Sequence, residues 1–599
     1  LKMADSHISS ESAVPFVPSL KGKDINAVLR CRAEGTYDNL QVKELNLRTP
    51  DGGTAINVDA FFSGLSDPKN ALVHVGVSNC YTSVRQIANI INEAGDTKTA
   101  RSIAKFAPGQ NIRFQGSLDG FFDDFVAYGT LNTTSAGAVK LDMQMQKDAR
   151  SGKINLNGHA NTKEVDLGKI LQSSSLGKLT LESSLNAALG KDQEHSSIDL
   201  KNLTIKRLGL MGYDYSNIVA TGTLKGYEFD GKLACSDPNL NLLFQGIFTF
   251  AGKKGNSVYK FSANLGYADL NALNLYKKDK AEVRLSADAN LTTMPSGDAY
   301  GAAKISGLHF VDKDKDRDIG EVTLTASNEG NSYRMNLNSK ILKASYEGTA
   351  AVSQFGKDFS KLLASESGNL MDEPVEKDMK RIGQTYDIWL QTYDTRDVCS
   401  FFAPGLFVND STTLKLDINR DEIITGSLKS NLVSYHNNYV RNLLALFDNH
   451  GSKLTTTVSA DLLINGSIPL NNNVITIIID DNVASGNIRF SASGPYNNKG
   501  NISAKVSFFN ADEPYRIAVD MQDSYLDIQG EHWAIEPGKV LIRDKHFDVR
   551  NLNMHCNDQE VSIDGLISAS AEDTASIAVK NFDLSLLNTF LTDFPAKFS

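Results

Sequence analysis

The residues best equipped for catalysis or metal binding in this 599-residue chain fall into small groups, and each fails a test of spacing. Ser175 and Lys178 in "SLGK" meet the Ser-x-x-Lys pattern of a nucleophile with its base, but two fixed positions arise by chance in a serine- and lysine-rich chain. "DKDKDRD" sets Asp312, Asp314, Asp316 and Asp318 at alternate positions, as at the start of a calcium loop. Arg317 stands where that loop needs glycine and Thr323 where it needs a bidentate glutamate, so a solvated turn is expected. His546, His555 and Cys556 match no zinc spacing, and His546, Asp548 and Arg550 read instead as the wet face of a strand opposite Phe547 and Val549. GxSxG, HExxH, Walker and GxGxxG signatures do not occur. The expectation is a non-enzyme with no catalytic residue, metal or cofactor.

Composition narrows the partners. With 61 basic and 71 acidic residues the net charge is -10, which offers no basic surface for phosphates, so nucleic acid is not expected as a partner. Cys31, Cys80, Cys235, Cys399 and Cys556 lie far apart with no CxxC, as small buried apolar residues do. No apolar run is long enough for a membrane span or a secretory leader, and the chain begins at Leu1; a fragment, or a chain relieved of its leader or anchor, is the expectation.

The elements that must position any functional residue are strands. Apolar residues recur at every second position almost throughout: Val139, Leu141, Met143, Met145; Leu179, Leu181, Leu185; Leu414, Leu416, Ile418; Ile502, Ala504, Val506, Phe508. This period places them on one side of half-buried antiparallel strands. In "YEFDGKLACSDPNLNLLFQGIFTF", Asp237-Pro238-Asn239 is turn chemistry, and Phe229, Leu233, Leu240, Leu242, Phe244, Phe248 and Phe250 alternate on either side of it. Apolar-polar-glycine triplets end at Gly116, Gly158, Gly246, Gly348, Gly466, Gly530 and Gly565, and glycine at such positions would bend a sheet.

A second motif alternates with the strands. "EVDLGKIL", "YADLNALNL" and "NFDLSLLNTFL" each run an Asp-Leu pair into apolar residues at helical spacing, with the aspartate as N-cap. Asp166 and Asp269 lie 103 positions apart, which suggests units of about 100 residues. One longer helix is expected over 433–447, from Val440, Leu443, Leu444 and Phe447. The expected organisation is a first sheet region over 1–365, a charged connecting segment over 366–385, and a second sheet region over 386–599 containing that helix. Helices are too few to cover so many strands, so the sheet must either close into dry sandwiches or curl into a trough.

"FDGKLACSDPNLNLLFQG", "FSANLGYADLNALNL", "IWLQTYDTRDVCSFFAPGL" and the long stretch from "IQGEHWAIEPGKVLIRDKHFDVRNLNMHCNDQEVSIDGLISAS" onward resemble the TamB family, the inner-membrane subunit of the translocation and assembly module of Gram-negative bacteria. The resemblance runs from about Ala33 to the end, through short, degenerate elements. It implies an AsmA-like relative of chorein-type bridge proteins: an all-β, elongated, curled antiparallel trough with a few short helices and a continuous apolar groove. It further implies a periplasmic location, anchorage to the inner membrane by an N-terminal segment not in this sequence, phospholipid movement and protein assembly in outer-membrane biogenesis, and an outer-membrane barrel partner met by a missing C-terminal region.

Phospholipid acyl chains are therefore the expected partner. The groove candidates are Val139, Leu141, Met143, Met145, Leu179, Leu181, Leu185, Phe229, Leu233, Leu240, Leu242, Phe244, Phe248 and Phe250. Two rival readings stay open on the residues alone: a scaffold or chaperone that templates outer-membrane β-proteins by strand addition, and a dry-core β-repeat stalk or adhesin.

Overall fold

A computed structural model describes residues 1–9, 26–67, 69–93, 109–148, 150–250, 255–277, 281–312, 315–367, 382–451, 453–465, 468–492, 498–509, 513–570 and 572–583, with 11, 100–101 and 103–104. The fold is all-β, with 67% of residues in strands and 8% in helices, so helices cannot cover the sheet. The chain forms two compact units, one of Leu1–Asn290 with His309–Asp316, the other of Leu291–Leu308 with Arg317–Ser599. The connecting segment expected over 366–385 lies outside the described residues except at its two ends.

In the first unit the long strands run in sequence order from Lys2–Ser9 to Ser257–Asp269, each antiparallel to the one before. Short helices sit where strands run out: α1 (Val84–Glu93), which buries Val84 and Ala88 one turn apart, and α2 (Leu167–Leu171). Asp166 caps α2 as its sequence requires, accepting from the Lys169 amide at 3.0 Å. Asp269 does the same for a turn, accepting from the amides of Asn271 and Ala272 at 3.1 Å. "NFDLSLLNTFL" is described only as far as Asp583.

The bend in this unit has a visible cause. Gly222, Gly231 and Gly246 stand side by side on three adjacent strands. A Cβ at Gly231 would lie 2.2 Å from the Thr221 carbonyl oxygen and 2.7 Å from the Phe229 ring. The space a side chain would need is thus taken by the neighbouring strand and by an aromatic ring folded over the glycine. Gly116 and Gly129 repeat the pairing. Gly530 departs from the expected pattern, because it lies in the tight turn after Ile528 rather than within a strand, and Gly466 is outside the described residues.

The second unit is also a meander, with some long strands faced by two short ones in tandem: Lys499–Phe508 pairs with both Ile517–Met521 and Ser524–Ile528. Its helices are α3 (Val352–Ser367) and α4 (Arg396–Phe402). The helix expected over 433–447 is instead a hairpin: Ile424–Tyr435 turns through His436 and Asn437 into Asn438–Asp448. His436, at a φ of 54°, supplies the left-handed turn residue. The imitation of a helix comes from Leu443 and Leu444 being apolar on opposite faces, and pairing with apolar strands on both sides outweighs the local pattern. The longest helix of the described residues is α3, which the sequence reading missed.

Candidate functional site

Register alone assembles the site. In the first unit an unbroken line of cross-strand partners runs Met3, Cys31, Leu45, Val58, Val77, Gly116, Gly129, Leu141, Ala160, Ser183, Leu203, Ala220, Leu233, Phe244, Ala263, one residue from each of fifteen strands. All are apolar or small, and none is exposed. One residue over on the pleat the lines are wet and mostly polar, as in Asp142–His159 and Thr221–Lys232–Gln245–Ser262, with Tyr128, Val219 and Leu243 exposed among them. The sheet therefore has one apolar face along its whole run of strands.

Most expected groove residues fall on this face. Leu141, Leu233 and Phe244 lie in the line just traced; Met143 and Leu185 lie in the next, which passes through the three glycines to Phe261. Met145, Phe229 and Phe248 share a third, and Leu181 and Leu242 a fourth. Val139 pairs with Leu131, and Leu179 with Leu208. Leu240 stands at the hairpin tip opposite Asp237. Phe250 lies past the strand end and is 49% exposed, its ring 5.3 Å from that of Phe248. Sequence reasoning omitted the matching residues of the N-terminal strands, Val42, Val58, Ala60 and Val75, although "AINVDAFF" carries the same alternation.

Aromatic rings gather over the glycines: Phe244 is 5.2 Å from Phe261 and 6.2 Å from Phe229, and Phe248 is 5.3 Å from Tyr259. A cavity of about 550 Å³ opens on the other face of these strands, where Val219, Ala234 and Leu243 stand among the polar Thr221, Lys232 and Gln245. At the hairpin tip the apolar face ends in a polar knot. Asp237, 2% exposed, accepts from the Tyr213 hydroxyl, from the amides of Ser216 at 2.8 Å and Asn239 at 2.9 Å, and from the Ser216 hydroxyl at 2.7 Å. Burial opposes its ionisation, but these bonds outweigh that and hold its carboxyl below the usual range. Burial, and then Asp237, push Tyr213 up to about 12.

The second unit has the same kind of face. One line runs Leu324, Leu337, Ala344, Leu390, Leu414, Leu428, Ala445, Val458, Ile475, Ile488, Ile502. A parallel line runs Met335, Tyr346, Ile388, Leu416, Gly426, Phe447, Thr456, Ile477. Part of this face is covered from within. Phe355, Phe359, Leu362 and Leu363 of α3 pack on Tyr346, Tyr386, Leu416, Ile418 and Ile424, and the same helix touches strands Leu454–Asn465 and Ile468–Asp480. The sheet thus curls around α3. Beyond the strands that the helix touches the face is open, with Ile488 42% exposed against 0% for Ile418 and Ile424.

The chemical candidates are not brought together. Lys178 is held by Glu164 at 2.9 Å rather than facing Ser175. Asp316 binds His309 at 2.9 Å and Asp318 binds Lys340 at 3.5 Å, while 313–314 lie outside the described residues. Among the described residues no group of three His, Cys, Asp or Glu could hold a metal ion, and His555 faces Glu536 while Cys556 is buried beside Trp533. No helix of the described residues is long and apolar enough to cross a membrane. No family model matches the chain, and neither curated proteins nor solved structures yield a match.

Proposed function

We propose that this chain is a non-enzymatic bridge segment whose apolar face shields phospholipid acyl chains in transit, as the resemblance to the TamB family implies. The observation that carries the reading is the fifteen-strand line from Met3 to Ala263, apolar or small at every step and nowhere exposed, with a wetter and mostly polar face behind it. Hydrocarbon laid on such a face leaves water at roughly 25 cal/mol per Å², so a tail is held by area without a polar contact that would trap it. A face that is uniform from strand to strand lets the tail slide. On this reading the chain works in the Gram-negative periplasm, in outer-membrane biogenesis, tethered at the inner membrane and meeting an outer-membrane barrel through segments outside this sequence.

A photo-crosslinking amino acid at Leu233, compared with one at Lys232 on the opposite face, tests this. Phospholipid labelled at Leu233 and not at Lys232 is the expected result; equal labelling, or none at either, overturns it.

One observation favours a second reading, strand addition to a client β-protein. The strand Ala575–Lys580 is exposed along its whole length, with Ile577 66% and Val579 57% exposed, and among the described residues it pairs only with Gln559–Ile567. Proline at Ile577 should then abolish client assembly and leave lipid labelling at Leu233 intact.

A further inference from the structure

We infer that helix α3 is an internal plug, seated on the apolar face where an acyl chain would lie and displaced by one; this rests on the lipid reading above. The helix occupies the same face that lies open at Ile488, which a cross-strand line through Leu414 and Leu428 joins to the strands of Ile388 and Leu416 beneath the helix. Its contacts are those a lipid tail would make: Phe355, Phe359 and Leu362 against aliphatic and aromatic side chains on one side of the curl, and further strands on the other. The helix is also poorly held by its own sequence. Gly356 lies inside it, "SQFGKDFSKLLASES" carries four serines, and it has no acidic residue in its first turn and no basic residue in its last. Such a segment keeps its helical form through the sheet beneath it, so anything that covers that sheet equally well releases it. Asp358, 4% exposed, gives the helix a directional tie to the sheet by accepting from the Tyr386 hydroxyl, and it also accepts from Gln354 one turn back in the helix at 2.9 Å.

The test uses the full chain with phospholipid vesicles and photo-crosslinkers at Leu233, Ile488 and Ile418. The native chain should label at Leu233 and Ile488 but weakly at Ile418. Phe355→Ser with Phe359→Ser should raise Ile418 labelling several-fold, and Gly356→Ala, whose added Cβ meets nothing within 4 Å, should lower it. Amide exchange across α3 in the native chain should quicken on lipid loading, a measurement that does not depend on either variant folding. Labelling at Leu233 and Ile488 with unchanged exchange in α3 overturns the plug alone. No labelling at any of the three sites overturns the lipid reading and the plug with it.

Discussion

The carboxylate of Asp358 on α3 takes its hydrogen bond from the hydroxyl of Tyr386 on the strand Tyr386–Thr392, and both side chains are almost wholly out of water. Burial first, and Asp358 second, push the Tyr386 phenol well above its ordinary value of 10, and burial does the same for Tyr346 beside it. In the unfolded chain both phenols ionise near pH 10, while in the fold they stay protonated beyond it. Their stabilisation is therefore complete below pH 10 and is lost as pH climbs towards the folded values. Tyrosinate absorbance should rise together with loss of structure around Trp389, which lies on the same strand. Asp358→Ala should leave the Tyr386 hydroxyl unpaired and cost about 1–3 kcal/mol in denaturant titrations followed by tryptophan fluorescence.

Gly356 offers the opposite sign. It lies inside α3, exposed, with nothing within 4 Å of an added Cβ and no left-handed φ to forbid one. Gly356→Ala should stabilise the helix by about 0.5–1 kcal/mol, read as slower amide exchange over α3. Faster exchange would mean that the helix is bent there for packing.

At the other polar knot, Asp237→Ala strands the Tyr213 hydroxyl and the amides of Ser216 and Asn239, for a cost of about 2–3 kcal/mol. The native carboxyl titrates below its ordinary 3.8, so its stabilisation is present above that value and is lost as pH falls through the lower, folded one. Amide protection of Leu240–Thr249 should therefore fall on acidification below pH 3.8, and Asp237→Ala should remove that step. An acid transition identical in the variant would place its cause elsewhere.

Where apolar and polar residues alternate without interruption, sequence and structure agree: Leu141, Met143 and Met145 keep step because their strand pairs on both sides without a slip. Leu185 and Leu200 come into line only through a register shift at Ser184/Leu185, which pairing decides and local sequence does not show. The turn at Asp237 was legible because its side chain bonds its own backbone two residues on, at Asn239. Helix α3 was hidden by Gly356 and its serines, although Phe355/Phe359 and Lys357/Lys361 carry the spacing of four. That the helix fills the curl of the sheet depends on contacts between residues about a hundred positions apart, Leu454–Asn465 among them, which no local pattern records.

The apolar face itself can be challenged one pleat position at a time. Leu233 and Lys232 are neighbours in sequence but face opposite ways, Leu233 between Ala220 and Phe244, and Lys232 between Thr221 and Gln245. Leu233→Glu puts a charge where hydrocarbon would lie, and an uncompensated charge there should reduce co-purified phospholipid more than about tenfold. Lys232→Glu changes the net charge further yet leaves the apolar line intact, so lipid content measured by mass spectrometry should stay at the native level. Gly231→Val separates shape from polarity: its Cβ would meet the Thr221 carbonyl oxygen at 2.2 Å, so the strands must part at a cost of about 1–3 kcal/mol. Lipid loss in Leu233→Glu with normal amide protection of Glu228–Asp237, set against lipid loss in Gly231→Val only as that protection falls, would tie capture to the apolar line itself. Equal losses in Leu233→Glu and Lys232→Glu would instead make surface charge the cause and remove the face from the mechanism.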